Sequence, residues 1–491
     1  MNTPTPDALA RLRELQAGDL PVHGGRTLAY VYDSGLPEVD RVAREAVAAY
    51  AGSNGLDPTA FPSLLRMEND LVGFTADLLD APGTAVGSVT SGGTESVLLA
   101  VQAARDSRPD VEHPRMVIPE TAHAAFHKAA HYFRVEPVLV PVGPGFRADP
   151  AATAAALDDD RHRTVLAVVS APSYAHGVVD PVTEIAAAAA ERGIRCHVDA
   201  CIGGWVLPYA ARLGRPVPPW TFAVEGVTSI SVDLHKYGYA PKGTSVLLHR
   251  TPELRAPQFF ASATWPGYTM LNSTMQSTKS GGPLAGAWAV VQTLGDTGYE
   301  LLSRDVFDAV DRIVAGVADI DGVSVLVAPD STLVALVTDA RCDAFTVCDE
   351  MATRGWYVQP QMSYGGAPPT IHLSVSAATL AHVDGFLAAL AASVTAAAEA
   401  GPVQVDPGVA AFIAALDPTA LTPEDFDGLL LAAGLVGGSD GGPDGGPDGG
   451  ADGLALPDRM AEVNAMLDLA APAMREALLL AFLDRLSRPN R

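Results

Sequence analysis

The sequence predicts an α/β fold, with a mostly parallel β-sheet in a large domain and a smaller α+β domain after it. Two observations carry this prediction. Between residues 86 and 249, short runs rich in Val and Ile alternate with Ala-rich helical segments, which is typical of parallel strands joined by helices. Polar motifs follow several of these runs, and the ligands of open α/β sheets bind at the carboxyl ends of strands.

The elements can be placed in chain order from the hydrophobic periodicity. Residues 1–60 form an N-terminal arm with helices over 7–16 and 37–50. Residues 61–298 form the large domain, with strands predicted at 86–89, 116–118, 138–142, 165–170, 195–198, 228–232 and 244–248. Residues 299–400 form the smaller domain, which begins with a long helix and has strands at 323–327, 333–337 and 371–375.

The composition changes after residue 401, and residues 401–491 form a C-terminal extension. Residues 437–453 contain only Gly, Asp, Pro, Ser and Ala. This linker is expected to be disordered, because it has no large apolar side chain to bury. Residues 460–486 return to a helical apolar pattern, which predicts a segment docked on the body of the protein.

Composition and charge exclude several classes of partner. The net charge of −25 argues against nucleic acid and against an anionic membrane surface. The N-terminus has no apolar signal segment, and no apolar run approaches the roughly 20 residues of a membrane helix. The four cysteines have no C-x-x-C spacing, so they are expected to be reduced thiols of a cytoplasmic protein.

Lys236 is the first candidate for chemistry. It follows the predicted strand 228–232 within the run SVDLHKYGYAPKG. A lysine at the end of a buried strand is costly to desolvate, so we expect a low pKa and a nucleophilic amine. A lysine that forms a Schiff base needs such a position.

Two further stretches complete this pattern. Asp199 ends a strand, where an acid can be a metal ligand, a ribose binder or the partner of a pyridinium nitrogen. The small residues Ser91, Gly92, Gly93 and Thr94 precede an apolar helix, and the N–H groups of such a turn can hold a phosphate. A phosphate cradle, a carboxylate and a lysine, in this chain order, match the requirements of pyridoxal phosphate.

The same motifs carry a resemblance to a known family. The chain resembles the sphingosine-1-phosphate lyases, within the group II pyridoxal-phosphate-dependent decarboxylases of fold type I. The matching runs are TSGGTES from Thr90, AHAAFHKAA from Ala122, HGVVDP from His176, HVDACIGG from His197 and GVTSISVDLHKYGYAPKG from Gly226. The resemblance covers roughly residues 25–400 and implies a seven-stranded large domain with pyridoxal 5'-phosphate as cofactor.

The resemblance also implies roles for individual residues. The catalytic set is Lys236 as the Schiff-base lysine, Asp199 at the ring nitrogen and His123 stacked on the ring. Further contacts to the cofactor are expected from Ser91, Gly92, Gly93, Thr94, Ser170, Ser231, His235 and Thr278. Substrate contacts are expected from Tyr32, Asn54, Asp57, His176 and Lys242. Tyr32 could instead be a packing aromatic and His176 a turn residue.

No metal site is predicted. His123, His127 and His131 recur every four residues and could share one helix face, but no carboxylate or cysteine completes a ligand set. His127 and His131 are therefore expected to be structural or solvated.

The resemblance implies a lyase that acts on a small-molecule amine. Retro-aldol cleavage of a sphingoid base phosphate would give a long-chain aldehyde and phosphoethanolamine. Decarboxylation of an amino acid is the alternative, and a cofactor-binding protein without turnover is a third. Thr278 and Lys279 stand where the family has a Ser-Arg pair that reaches the neighbouring subunit, which implies a homodimer with shared active sites.

Asp57 is the clear departure from the family pattern, which has His at this position in a run Asn-Pro-Leu-His-Pro. A carboxylate close to a phosphate dianion is repulsive, which would weaken the binding of a phosphorylated substrate. Alternatively, Asp57 points to solvent or caps a turn near Thr59.

Overall fold

A computed structural model describes residues 7–432 and 459–489 of the 491-residue chain. The described chain divides into two compact units. The larger comprises the residues up to Val314 together with Leu326–Ala335 and Leu373–Val383, and the smaller comprises Ala315–Val325, Leu336–His372 and the residues from Asp384 onward. The linker 437–453, predicted to be disordered, lies outside the described residues, and the four-part division of the chain stays a prediction.

Three helices precede the sheet: α1 (Ala8–Gln16), α2 (Pro37–Ala49) and α3 (Pro62–Leu78). Asp7 caps α1 by accepting hydrogen bonds from the backbone N–H groups of the first turn. The other two begin at a proline, whose missing N–H is not needed in the first turn of a helix. The two helices predicted in the N-terminal arm are confirmed to within a residue.

The larger unit is built on a seven-stranded sheet. Its strands are β1 (Val86–Thr90), β2 (Arg115–Pro119), β3 (Glu136–Val140), β4 (Thr164–Ser170), β5 (Arg195–Asp199), β6 (Val227–Asp233) and β7 (Ser245–His249). Their order is β1-β7-β6-β5-β4-β2-β3, and only β7 runs antiparallel to its neighbours. Every residue of β2, β4 and β7 is buried, as in a sheet covered on both faces. The predicted α/β class and mostly parallel sheet are confirmed.

Helices connect these strands: α4 (Gly93–Asp106), α5 (Ala125–Phe133), α6 (Pro150–Asp159), α7 (Val182–Glu191) and α8 (Leu207–Arg212). The strand predicted at 138–142 begins two residues earlier, at Glu136, so that prediction was misplaced. The reason is Pro137, which reads as a strand breaker but is tolerated because β3 lies at the edge of the sheet.

After the sheet come α9 (Pro252–Arg255), the short hairpin strands β8 (Phe260–Ser262) and β9 (Met270–Asn272), and α10 (Gly281–Val317). The helix α10 is interrupted at Gly295, whose φ of 55° is left-handed. A second sheet has the order β10 (Val323–Val325), β11 (Leu333–Thr338), β13 (Thr370–Ser374) and β12 (Gln359–Gln361). The sequence missed β12 because a Gln-Pro-Gln run has no apolar alternation.

The helices α11 (Ala344–Thr353) and α12 (Val383–Ala400) follow in the smaller unit. The segment Ala377–Ala400 is long and apolar enough to cross a membrane, by length and composition alone. This is weak evidence, since a buried core helix passes the same test, and Phe386, Leu390 and Val394 on α12 are fully buried or nearly so. The prediction that no apolar run approaches the length of a membrane helix is therefore wrong for this segment.

Four helices end the described chain: α13 (Pro407–Ala415), α14 (Pro423–Ala432), α15 (Ala461–Leu469) and α16 (Pro472–Leu486). They share an apolar core of Ile413, Phe426, Leu429, Leu430, Ala470, Met474 and Leu478. Asp349 on α11 caps α15 by accepting from the N–H groups of Met460 and Ala461. The helical pattern over 460–486 thus forms two helices, because Pro472 starts a new one.

Candidate active site

Polar residues from neighbouring strands meet at the carboxyl edge of the large sheet. The strand register pairs Ser170 with Asp199 and Asp199 with Ser231. Beyond these strand ends opens a cleft of about 390 Å³. Its walls carry Ser91, Gly92, Gly93, Thr94, Glu95, Val97, His123, Ser170, Pro172, Tyr174, Asp199, Cys201, Ile202, Asp233, His235 and Lys236. The topology therefore brings the predicted cradle, carboxylate, histidine and lysine together.

The cradle is the turn between β1 and α4. Its N–H groups at the first turn of α4 have no partner within the helix. Glu95 fixes the turn by accepting from the N–H of Ser91 at 2.6 Å, and its other oxygen accepts from the N–H of Met275 at 2.8 Å. Gly93 is required sterically, because a Cβ there would lie 2.7 Å from both Asp233 Oδ2 and Cys201 Sγ. The turn is thus held rigidly against the floor of the cleft.

Lys236 lies three residues beyond the end of β6, and its Nζ is 2.9 Å from Asp233 Oδ2. Burial opposes the charge of the ammonium, but the carboxylate of Asp233 outweighs it and raises the pKa of Lys236 above its ordinary value. The expectation of a low pKa was wrong, because desolvation was weighed without this carboxylate. In this arrangement the lysine is a buried ammonium paired with an acid.

Asp199 and His123 both line the cleft. Asp199 is almost fully buried at the end of β5 and accepts from the N–H of Cys201 at 3.1 Å. Desolvation lowers the pKa of His123, so its imidazole is neutral near pH 7. The N–H of Ala125 donates to Nδ1 of His123 at 3.1 Å, which leaves the ring proton on Nε2.

Tyr32 and Lys242 lie together beside the cleft. Lys242 Nζ is 4.9 Å from the centroid of the Tyr32 ring, and it donates to the carbonyl of Tyr30 at 2.9 Å. Desolvation and, to a smaller extent, the charge of Lys236 lower the pKa of Lys242 to about 8. Tyr32 also packs edge-on against Tyr237, with ring centroids 5.0 Å apart. Both interpretations of Tyr32, packing aromatic and substrate contact, fit this position.

Several predicted residues lie outside the walls of the cleft. Ser231 is fully buried behind it, where its hydroxyl contacts His197 Nε2 at 3.2 Å. His176 stacks on Phe146 with ring centroids 4.1 Å apart, and burial lowers its pKa to about 4. Thr278 is exposed. Within one chain, these three side chains therefore do not line the site.

Asn54 and Asp57 do not line the cleft, although their loop borders an adjoining pocket of about 250 Å³ that shares Ser91 with it. Asn54 pairs through its backbone with Ser280. Asp57 is exposed and accepts from the N–H and the hydroxyl of Thr59 at 2.8 and 2.7 Å. Lys279, expected to reach a neighbouring subunit, forms an ion pair with Glu68 at 2.8 Å. The geometry of Asp57 is that of a turn residue.

The residues of the cleft that were not predicted from the sequence include Asp233, Tyr174 and Cys201. The position of Asp233, three residues before Lys236, was the available signal, because i,i+3 neighbours in a turn can pair. Tyr174 and Cys201 carried no comparable signal. Among the described residues, no group of His, Cys, Asp and Glu side chains could hold a metal ion, and His127 and His131 are exposed.

The residues present fit pyridoxal phosphate. His235 Nδ1 is buried without a hydrogen-bond partner among the described residues, so it can bind an added group. The cradle offers N–H donors and a helix N-terminus to a phosphate. Asp199 supplies an anionic partner for a protonated ring nitrogen, His123 an aromatic face, and Lys236 an amine for an aldehyde.

Comparisons with known proteins identify relatives of this chain. Residues 30–336 match the pyridoxal-dependent decarboxylase conserved domain, and residues 407–485 match the pyridoxal-dependent enzyme C-terminal putative HTH domain. The sphingosine-1-phosphate lyase of Arabidopsis thaliana is 40% identical over 73% of this chain and 66% of the relative. The rice enzyme of the same name is 37% identical over 80% of this chain and 73% of the relative.

A solved structure gives the same result. The Burkholderia pseudomallei sphingosine-1-phosphate lyase matches with a TM-score of 0.76 and 33% identity, over 82% of this chain and 92% of that one. The chain spans about two thirds of the length of the Arabidopsis relative. From the long matches in sequence and fold, we conclude that the chain belongs to the pyridoxal-phosphate-dependent decarboxylase family and, within it, to the sphingosine-1-phosphate lyases.

Proposed function

We propose that this chain cleaves the carbon–carbon bond between the amine-bearing and hydroxyl-bearing carbons of a sphingoid base phosphate. The products are a long-chain aldehyde and phosphoethanolamine. The observation that carries the proposal is the pair of lysines at the cleft, Lys236 beside Asp233 and Lys242 over the Tyr32 ring. Lys236 is the lysine that exchanges with the substrate amine, and Lys242 offers a cation to the phosphate of the substrate. Relatives that bear the lyase name support this substrate class.

When bound, pyridoxal phosphate accepts the electron pair of a bond that breaks at the amine-bearing carbon. The residues of this chain hold and orient the reactants around that event. The cradle and His235 would hold the phosphate of the cofactor, Asp199 would keep its ring nitrogen protonated, and His123 would offer an aromatic face to its ring. All these side chains sit at strand or helix ends, which fixes them on rigid elements.

Lys242 decides which bond is presented for cleavage. Its Nζ is anchored by the carbonyl oxygens of Tyr30 at 2.9 Å and His235 at 3.4 Å, so its charge has a fixed position. A phosphate held there sets the rotation of the substrate about its amine-bearing carbon. A carboxylate held at the same point would instead favour decarboxylation, which is the second candidate reaction.

The experiment is a side-by-side assay of the holoenzyme. Sphingosine 1-phosphate, unphosphorylated sphingosine and a panel of amino acids are supplied separately, and aldehyde and CO₂ are both measured. We expect aldehyde from the phosphorylated substrate and no CO₂ above background. Lys236→Ala should abolish turnover, and borohydride reduction of the wild type should fix the cofactor on Lys236. CO₂ release from an amino acid, without aldehyde, would replace the lyase by a decarboxylase.

The proposal includes a homodimer with shared active sites. Thr278 is exposed and does not reach the cleft of its own chain. The neighbouring segment exposes large apolar side chains, namely Phe259, Phe260, Trp265, Tyr268, Leu271 and Met275. An exposed apolar segment of this kind indicates a protein interface, and a second copy of the chain is the occupant we propose.

The remaining partners follow from charge and thiol chemistry. The matched putative HTH region, residues 407–485, has thirteen acidic and three basic side chains. This balance opposes contact with nucleic acid phosphates, so we propose no nucleic acid partner. The four cysteines are free and buried, which suits a reducing cytoplasm.

A further inference from the structure

Asp233 is the most enclosed carboxylate in the cleft, and neither the sequence nor the comparisons give it a role. Its side chain is 2% exposed at the end of β6. Oδ2 lies 2.9 Å from Lys236 Nζ and 3.6 Å from His235 Nε2. Oδ1 accepts from the Ser245 hydroxyl at 2.5 Å, across the β6–β7 ladder. All its close polar contacts therefore favour the carboxylate form.

We propose that Asp233 is a positioning residue that keeps the side-chain nitrogen of Lys236 protonated, so that the lysine delivers a proton during cleavage instead of removing one. The delivery of a proton during cleavage rests on the proposed lyase function. The protonation of Lys236 itself does not depend on the substrate. The ion pair at 2.9 Å and the complete burial of the carboxylate are the observations that carry it.

The proton balance of the reaction shows why a protonated Lys236, and therefore Asp233, is needed. Cleavage breaks the bond between the two carbons and turns the hydroxyl into the carbonyl of the aldehyde, with loss of the hydroxyl proton to a base. The electron pair of the broken bond ends in a new C–H bond at the amine-bearing carbon. A lysine released as an ammonium supplies that proton, and the neutral amine it becomes can then bond the cofactor again.

The surroundings of this pair contain other titratable groups. Those that act on Asp233 or Lys236 are Tyr32 from the N-terminal arm, His123 before α5, Tyr174 after β4, Asp199 and Cys201 at β5, and His235 and Lys242 after β6. Among these described groups, the cations at neutral pH are the two lysines, because desolvation lowers the pKa of His123 and His235. Asp233 is the carboxylate that contacts Lys236 directly, and it raises the pKa of the lysine against the opposing effect of burial.

The test is Asp233→Asn, which keeps the shape and the acceptor for Ser245 but removes the charge. The readout is the pH titration of the cofactor absorbance in the holoenzyme without substrate, which reports protonation of the nitrogen shared with Lys236. We expect the midpoint to fall by about one pH unit or more, as for loss of an opposite charge in contact. We also expect kcat to fall by about 10² or more, with KM changed much less.

Ser245→Ala is the matched variant. It removes one hydrogen bond to the carboxylate and leaves the charge, so the midpoint should stay or rise. If the Asn variant does not fold, Ser245→Ala decides, and a lower midpoint there would overturn the proposal. An unchanged midpoint in Asp233→Asn would also overturn it. A lowered midpoint in an enzyme that does not cleave the phosphorylated substrate would keep this inference and reject the proposed function.

Discussion

At the scale of single residues, two lysines of one turn have pKa values that move in opposite directions. Lys236 contacts a carboxylate at 2.9 Å, whereas Lys242 contacts only neutral carbonyls and an aromatic ring. Burial disfavours the charge of both, and only Lys236 has a direct counter-ion to offset it. Lys236 therefore stays protonated, whereas Lys242 titrates near the working pH.

This difference predicts the pH dependence of substrate capture. Burial lowers the pKa of Lys242 to about 8, so its charge is present below that pH and lost above it. Because kcat/KM reports the free enzyme, its value for sphingosine 1-phosphate should fall as pH rises through about 8. Lys242→Arg should keep the phosphorylated substrate bound to higher pH, since a guanidinium does not titrate there.

The control for this prediction is the unphosphorylated sphingoid base. This substrate has no phosphate to contact Lys242, so its kcat/KM should not fall as the pH rises through about 8. Parallel profiles for the two substrates, or a Lys242→Arg profile identical to that of the wild type, would contradict a role of Lys242 in phosphate binding.

The sequence identified individual residues well where the backbone dictates their place. Lys236, Asp199, His123 and the cradle all line the cleft, because each follows a strand or opens a helix. The sequence did not predict features that depend on contacts between side chains. The charge of Asp233 reverses the pKa expected for Lys236, and the bonds from Thr59 turn Asp57 into a local acceptor. Such contacts depend on rotamers and turns that periodicity does not encode.

At the scale of elements, the β1–α4 turn has no room for a larger residue at Gly93. Gly93 lies so close to β6 that a Cβ would contact Asp233 Oδ2 and Cys201 Sγ at 2.7 Å. Gly92 has more space, since its nearest neighbour would be His235 Cε1 at 3.5 Å, which is ordinary van der Waals contact. Glu95 holds the same turn by accepting from the N–H of Ser91.

We therefore predict that Gly93→Ala lowers cofactor affinity much more than Gly92→Ala. The added methyl of Gly93→Ala must displace either the carboxylate or the turn, at a cost of about 1–3 kcal/mol, which corresponds to roughly 5- to 150-fold in affinity. The measurement is a titration of the apoprotein with pyridoxal phosphate, followed by absorbance. Equal affinities for the two variants would show that the turn yields without cost.

Element boundaries were predictable wherever apolar runs are bounded by Gly or polar residues, as for β4, β5 and β6. Three kinds of element were not. Short strands such as β8 and β12 have too few residues for a period, and β3 contains a proline. The pattern over 460–486 predicted helical structure but not the break between its two helices, because Pro472 can either interrupt a helix or begin one.

At the scale of the whole molecule, Thr278 and Lys236 belong to different halves of a proposed shared site. Lys236 lies in the cleft of its own chain, whereas Thr278 is exposed beside a segment of large apolar side chains. Lys279, next to Thr278, is held by Glu68 at 2.8 Å, which fixes the direction of this loop. If a second copy covers the segment, the hydroxyl of Thr278 completes the phosphate cradle of that copy.

This arrangement predicts complementation between inactive chains. Lys236→Ala removes the amine, and Thr278→Asp places a carboxylate against a phosphate, so each homodimer should be inactive. In a hybrid dimer, one site receives Lys236 from one chain and Thr278 from the other, while both defects fall in the second site. Random association of equal amounts should therefore restore about a quarter of wild-type activity, since about half of the dimers are hybrids with one intact site each.

The control pairs Lys236→Ala with Asp199→Ala. Both residues line the cleft of the same chain, so every site of that hybrid lacks one of them and activity should stay at background. The two chains carry different tags, and Lys236→Ala/Thr278→Asp hybrids purified through both tags should have about half of wild-type activity, because one of their two sites is intact. If Thr278 served its own chain, the Thr278→Asp hybrid would also be inactive, because neither site would combine an intact Lys236 with an intact Thr278. Recovery with Thr278→Asp but not with Asp199→Ala therefore requires that the active site be assembled from two subunits.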